Sequence, residues 1–462
     1  MNTYTFILEN YHSIKNAEII LDGLTVLAGL NGCGKSTISR WLYGFVRFSN
    51  EYEQIVDKET AATVYQHNVR LFEIQRQVAF WTKDNSLPLL PRIIGNLESE
   101  ITSMQERVRD ICNSIKKHVS DSLLEKYGRQ LWDALGVNDA GVDVQENLDR
   151  FVRSEQEYLA GIMEEAGNRK RECSISDLYR IIESNLDIKS KGPMDMQLTE
   201  NGTDLLDHDF EYIVTDDGAR LCDNDGRFIV TDRILGRFIA PLGLKRAIYI
   251  DSPMSVSNYA MTSNNIWLSL REMLTSPLRP VQEQTYDIIR EICIVLGGDI
   301  VVKDDGFGQK ELRYVRKSDG LDISVDEVAT GMKTFAYILR LLQNGYIDSS
   351  TLLIIDEPEA HLHPQWIVKF AKVLVLIRKL LGAKVMVASH DPDMVAAINT
   401  MAEAEGLSEV TNFYQAVRNP EETRYAYINS GNDISSIFEC FNVALDRIDG
   451  YRSIDDNPHE KA

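Results

Sequence analysis

The chain has 462 residues, room for about two or three domains of roughly 150 residues. Hydrophobic residues make up 44% and charged residues 26%, the balance of a globular protein that buries a core without disulfide staples. Its 49 Lys and Arg face 70 Asp and Glu, a net charge of −21, which argues against a surface given over to nucleic acid, because phosphate binding is driven by basic residues.

Six cysteines (Cys33, Cys112, Cys173, Cys222, Cys293, Cys440) lie far apart with no CxxC, the pattern of free thiols in a reducing compartment. The opening MNTYTFILENYHSIKN lacks a basic stretch followed by an apolar run, and no segment reaches about 18 apolar residues. The expectation is a cytoplasmic protein without a membrane segment.

Residues 1–50 carry the short strand-like runs TFILENY, AEIIL and LTVLAG, then a Gly-rich loop and the helically spaced TISRWLYGF. Residues 51–239 read as a mainly helical insertion. Within it Leu97, Ile101, Met104, Val108, Ile111 and Ile115 alternate four- and three-residue spacings. That pattern fits a helical hairpin or short coiled coil, and equally an amphipathic helix on a core. Near 208–232, DDG (Asp216 to Gly218) and NDG (Asn224 to Gly226) between EYIVT, ARLC and RFIVT predict a β-meander. An EF-hand reading of DNDGRFIVTD fails, since Gly226 at the sixth loop position puts Leu221 at the first, where it cannot ligate calcium.

From 240 to 405, RAIYIDSP, a helix through Leu268 to Met273, TLLIIDEPEA, WIVKFAKVLVLIRKLL and KVMVASHD alternate strand and helix. This is the signature of a mostly parallel sheet covered on both faces. The expected fold is α/β: a split head of 1–50 and 240–405, interrupted by the insertion, with strands and a tail at 406–462.

The sharpest chemical signal is GLNGCGKST, Gly29 to Thr37, between the strand LTVLA and the helix ISRWLYGF. Glycines let backbone N–H groups close around phosphates, and the helix presents its positive end to them. Gly29, Asn31, Gly32, Gly34, Lys35, Ser36 and Thr37 are the expected nucleotide-binding positions. Lys35 reaches the β- and γ-phosphates of ATP and the Ser36 hydroxyl ligates magnesium. Cys33 fills a free loop position and is assigned no chemistry.

TLLIIDEPEAHLHP, Thr351 to Pro364, supplies the second signal: strand-end Asp356 holds Mg2+ with Ser36, and Glu357 polarises the attacking water. His361 and His363 lack a third ligand and are read as structural. In KVMVASHDPDMV, His390 ends the next strand and is placed to sense a γ-phosphate. Ser389, His390 and Asp391 are adjacent in sequence and so do not form a hydrolase triad. EVATGMKTFAYILRLLQNG predicts a helix with Thr330 as N-cap, an apolar stripe of Met332, Phe335, Ala336, Leu339 and Leu342, and a stop at Gly345.

P-loop, Thr-Gly helix start, IIDEP and strand-end His, in this order, resemble the ATP-binding cassette ATPases. ENYHSIKNAEIILDGLTVLAGLNGCGKST resembles the SMC/RecF branch and DEPEAHLHP its OLD-like ATPases. The segments ATGMKTFAYILRLL and IYIDSPMS, with the chain length, are most similar to the PtuA ATPases of Septu-type anti-phage systems and some retrons. The resemblance implies that Thr330 and Gly331 contact the nucleotide of an opposite protomer, so that ATP is sandwiched in a homodimer, and that His390 is the switch histidine.

Met332 and Lys333 depart from the family's signature, His12 stands where relatives often carry arginine, and Gln66 is the candidate Q-loop residue. The resemblance further implies an ATPase that regulates a separate HNH-type nuclease, reaching DNA through that complex. The alternative is a DNA-repair or chromosome-maintenance ATPase that grips DNA itself, for which Arg169-Lys170-Arg171 and Lys245-Arg246 are candidate contacts. A transporter is disfavoured by the absence of a membrane segment, and an OLD-type nuclease by the few residues after His390. The expectation is an ATPase that does not cut nucleic acid by itself.

Overall fold

The computed structural model describes residues 3–83, 88–91, 95–119, 121–137, 143–186, 219–222, 238, 240–241, 243–251, 265–304 and 310–441. The chain folds as two compact units, Met1–Asn50 with Ile175–Ala462, and Glu51–Ser174. In chain order the elements are β1 (Tyr4–Tyr11), β2 (Ile14–Leu21), β3 (Leu24–Ala28), α1 (Lys35–Thr82), α2 (Leu97–His118), α3 (Asp121–Ala134), α4 (Val144–Glu172), α5 (Ile175–Leu186), β4 (Ala219–Cys222) and β5 (Arg246–Ile250). There follow α6 (Asn265–Thr275), α7 (Glu283–Leu296), β6 (Asp299–Asp304), β7 (Lys310–Arg316), β8 (Leu321–Ser324), α8 (Thr330–Gln343), β9 (Thr351–Asp356), α9 (Pro364–Leu376), β10 (Lys384–Ser389), α10 (Pro392–Ala404), β11 (Thr411–Val417), β12 (Tyr425–Gly431) and α11 (Ser435–Phe441).

The first unit is built on a nine-stranded sheet in the order β4-β1-β2-β12-β11-β3-β10-β9-β5. Five of its pairings are parallel: β12 with β2, β11 with β3, β10 with β3 and with β9, and β5 with β9. The antiparallel pairings join β1 to β2 and to β4, and β11 to β12. Burial explains the division. LTVLA, TLLIID and KVMVAS are buried at every position, as strands with both faces covered must be. β1 and β2 alternate buried and more exposed residues, the mark of a sheet with one wetter face. A second sheet, β6-β7-β8, is antiparallel throughout.

Two expected boundaries change. The insertion ends at Ser174, not at 239. α5 belongs to the head because the Tyr179 ring lies edge-on to Trp41 and Phe45, at centroid distances of 5.8 and 5.7 Å. The strands expected after 405 join the head, since β11 and β12 sit inside the main sheet. Of the meander expected near 208–232, only β4 falls within the described residues, and it pairs with β1 of the main sheet.

The second unit answers the question posed by the heptad-like spacing of α2. Met104, Val108, Ile111 and Ile115 enter one core with Val64, Leu71, Ile74 and Val78 of α1, Leu131 and Trp132 of α3, and Leu148 and Phe151 of α4. Four helical segments share that core, so the pattern marks a bundle helix and not a two-stranded coil. Asn96 caps α2 by accepting from the N–H groups of Glu98 and Ser99.

α8 is buried almost all round, from Thr334 to Leu342, in place of the single stripe expected. Its N-cap is Ala329, whose carbonyl accepts from Met332 N at 2.8 Å, and Thr330 is already the first helical residue. Gly345, with φ of +66°, follows the last turn as expected. Among the described residues no helix is long and apolar enough to cross a membrane.

At the start of β10, Lys384 is buried with its Nζ 5.5 Å from the Tyr4 ring centroid. Burial pushes its ammonium down to about 8 from the ordinary 10.5, the Arg378 guanidinium adds to this, and Asp22 opposes it. A cation whose folded pKa lies below its unfolded one costs stability while it is charged, and that cost fades as the pH rises from about 8 to 10.5. Lys384→Met is therefore expected to raise the thermal unfolding midpoint at pH 7, with a gain that shrinks towards pH 10. A gain that does not vary with pH would assign the effect to packing alone.

Candidate functional site

β3 and α1 frame the Gly-rich loop, and a cavity of about 510 Å³ opens over it. Asn31, Gly32, Gly34, Lys35, Ser36 and Thr37 line the cavity together with His12, Ser13 and Glu357. Gly32 and Gly34 have φ of +83° and +104°, left-handed values that a side chain would strain. Lys35 folds back over its own loop, its Nζ donating to the carbonyls of Gly29 at 2.8 Å and Leu30 at 3.1 Å. A phosphate oxygen can replace those carbonyls as acceptor without any change of fold, and the open end of α1 adds free N–H groups to the same place. His12 is itself left-handed, with φ of +53°, and its ring lies 4.2 Å from that of Tyr11, tilted by 39°.

Asp356 ends β9 beneath this loop and is buried. Its Oδ1 accepts from Ser39 Oγ at 2.6 Å and its Oδ2 from Tyr249 OH at 2.8 Å. Burial pushes the carboxyl up to about 6; hydrogen bonds from Ser39, Tyr249 and Ser36 pull it back, and Asp251 pushes it further up. Asp251 follows β5, the strand beside β9, and faces Arg40 Nη2 at 3.4 Å. Tyr249, Asp251, Ser39 and Arg40 were not singled out as functional from the sequence. The signal for two of them was present in IYIDSP, but only the pairing of β5 with β9 brings that segment to Asp356.

Glu357 stands on the cavity wall in a left-handed conformation, φ +47°, with its N–H donating to Ala388 O at 2.8 Å. Such backbone strain costs about 1–3 kcal/mol and persists where the surroundings fix it. His390 Nδ1 approaches Glu357 Oε1 at 3.5 Å and Glu359 Oε1 at 3.3 Å. Glu359 is a third acid of the same turn, also not predicted.

The remaining expectations resolve as follows. His363 caps α9, its Nδ1 accepting from Gln365 N, and Asp391 caps α10. Ser389 Oγ donates to Glu359 at 2.8 Å, so it is not aligned with His390 and Asp391 as a triad. Cys33 Sγ lies 3.5 Å from Tyr427 OH in the core. Gln66 lies far along α1, in the second unit, and does not line the cavity.

Thr330 and Gly331 do not line the cavity either. Gly331 is buried, and a Cβ there would meet the His361 carbonyl oxygen at 2.6 Å, so this glycine is required by close packing within the chain. Three of the five residues of the basic clusters pair with acids: Arg169 with Glu59 at 2.8 Å, Lys170 with Asp57, and Arg246 with Asp348 at 3.6 Å.

Residues 244–396 match the family model described as "AAA domain, putative AbiEii toxin, Type IV TA system", and residues 1–134 match the model "AAA ATPase domain". The Septu protein PtuA of Bacillus thuringiensis is 30% identical over 168 residues, which cover 32% of this chain and 40% of PtuA's length. Among solved structures, the SMC head domain from Thermotoga maritima superposes with a TM-score of 0.27 at 12% identity, over 46% of this chain and 65% of that one. The Smc head domain from Pyrococcus furiosus, with an extended coiled coil and bound to the C-terminal domain of ScpA, gives 0.34 at 10% identity, over 95% and 99%. AAA-type models thus match both stretches that carry the nucleotide-site motifs, and the stretch shared with PtuA spans less than half of that protein's length.

Proposed function

We propose that the chain binds ATP with Mg2+ in the 510 Å³ cavity and hydrolyses it, as the nucleotide-gated subunit of an anti-phage complex whose nuclease is a separate, HNH-type chain. The observation that carries the ATP part is one wall shared by the loop Asn31–Thr37 and Glu357, with the Asp356 carboxylate buried behind Ser36. Thr37, Asn31 and the glycines supply N–H groups and close approach, Lys35 the cationic contact, and Glu357 the acceptor for a water proton.

Ser36 and Asp356 form an all-oxygen donor pair of the kind a small, hard divalent cation takes. Among the described residues no three His, Cys, Asp or Glu cluster to hold a metal, so phosphate oxygens and water would complete the shell. Both oxygens of Asp356 already accept from hydroxyls, an arrangement suited to holding the cation's water. Bound there, magnesium would neutralise phosphate charge and orient the leaving group.

The defence role and the nuclease partner rest on the likeness to PtuA, which covers 40% of that protein. The internal pairing of Arg169, Lys170 and Arg246 weighs against a direct DNA grip through those clusters. The position of Thr330 and Gly331 away from the cavity supports the reading that an opposite protomer completes the site.

Two variants test this. Lys35→Ala removes a charge-assisted phosphate contact and should weaken Mg-ATP binding by about 1.5–3 kcal/mol, roughly ten- to a hundredfold in Kd by titration calorimetry. Glu357→Gln should keep that affinity and lose turnover by about 10²–10⁴-fold, trapping a dimer visible by sedimentation with ATP and magnesium. Unchanged affinity in Lys35→Ala would remove the assignment.

Gly331→Ala forces a Cβ onto the His361 carbonyl. It should cost about 1–3 kcal/mol of stability, read by denaturant unfolding, and lower turnover through the loop that carries Glu357. Full stability with lost dimerisation would instead make Gly331 purely an interface residue.

A further inference from the structure

One acid of DEPEAHLHP has no role in the scheme above. Glu359 has a side chain only 3% exposed, whereas Glu357 on the cavity wall is 35% exposed. A carboxylate that deep is costly unless donors meet it. Glu359 Oε1 accepts from Ser389 Oγ at 2.8 Å and from the backbone N–H of His390 at 3.0 Å. Burial pushes its carboxyl up, and backbone donors, Ser389 and the His390 ring pull it back.

His390 Nδ1 is buried and makes no aligned hydrogen bond, yet it lies 3.3 Å from Glu359 Oε1 and 3.5 Å from Glu357 Oε1. One ring nitrogen therefore stands between two carboxylates. The first is fixed by two donors from the β10–α10 junction, and the second is the residue assigned to polarise water.

We propose that Glu359 is a positioning residue for the hydrolytic step: it accepts the hydrogen bond of the His390 Nδ1–H and so keeps the imidazole from occupying Glu357. The proposal rests on the ATP-hydrolysing reading. Without the Glu359 charge, the same N–H turns to Glu357 Oε1, a second carboxylate oxygen 3.5 Å away, and the acceptor for water is lost. Holding Ser389 Oγ and the His390 backbone at once, Glu359 also sets where the ring emerges from β10.

A double-mutant cycle in the intact chain tests this, with Glu359→Gln, His390→Ala and both together. Gln keeps the Oε1 acceptor and the volume and removes the charge. In Glu359→Gln, kcat should fall about tenfold, while KM for Mg-ATP stays within about twofold and the unfolding midpoint is unchanged. The double variant should be no slower than His390→Ala alone, because the two residues act as one unit. A lowered midpoint with losses that multiply in the double variant would overturn the proposal in favour of a packing role.

Should Glu359→Gln fail to fold, ¹⁵N-histidine NMR of the wild-type chain decides, with His390 identified by its loss in His390→Ala. A ring protonated at Nδ1 supports the proposal, and a neutral ring carrying its proton only on Nε2 overturns it. Wild-type protein that turns over no ATP would defeat the hydrolytic reading itself, a result distinct from either of these.

Discussion

A carboxylate with almost no access to water, Asp356, has to be held between donors from two different elements, and the layout of the head follows from that requirement. β9 delivers the carboxylate, β5 supplies the Tyr249 hydroxyl to one oxygen, and the first turns of α1 supply Ser39 to the other. Because β9 lies between β10 and β5, any shift of the sheet register would separate these groups. Burial raises the carboxyl to about 6, so the site keeps an acid in conditions unfavourable to its charge. A group that disfavours its own ionised form, held in place by hydroxyls, is where a positive charge has most to offer. That cost in stability is one that the proposed cation and phosphate chain would offset.

The turn after β9 continues the same theme through the backbone. Glu357 and His361 are both left-handed without being glycine, with φ of +47° and +65°. The Glu357 N–H is tied to Ala388 of β10, and Leu362 is anchored in the main core. Gly331, at the start of α8, packs on the carbonyl of His361. Glu357 and the start of α8 therefore sit at opposite ends of one short, strained and tightly packed turn. A change at either end is transmitted because there is no slack backbone between them.

What was legible in the sequence was local. The P-loop, the strand leading to Asp356-Glu357, and His390 at the end of the next strand are each contiguous, and each carries its chemistry in its own residues. The order of these elements was enough to expect an α/β head around a split sheet. Groups brought together by strand pairing were not legible: Tyr249 and Asp251 depend on β5 lying beside β9, and Glu359 on β9 lying beside β10.

The end of the insertion was misplaced for a similar reason. Helical spacing cannot tell a helix of one unit from a helix of the next, and α5 joins the head through a ring contact that only the folded chain makes. Thr330 looked like a cap because Thr favours that position, but the turn Val325–Glu327 leads into the helix one residue earlier, and Ala329 takes the capping geometry.

The chain carries a net charge of −21, and Arg169, Lys170 and Arg246 of its short basic clusters are each paired with an acid. Within the cavity, in contrast, the Lys35 ammonium and the N–H groups opening α1 converge on one place. The most direct test of the account is an experimental structure of the intact chain with magnesium and a non-hydrolysable ATP analogue. The account predicts the triphosphate wrapped by residues 31–37, the Ser36 hydroxyl in the cation's shell, and Glu357 beside the terminal phosphate. A saturating nucleotide found elsewhere, with Lys35 still on the carbonyls of Gly29 and Leu30, would contradict it.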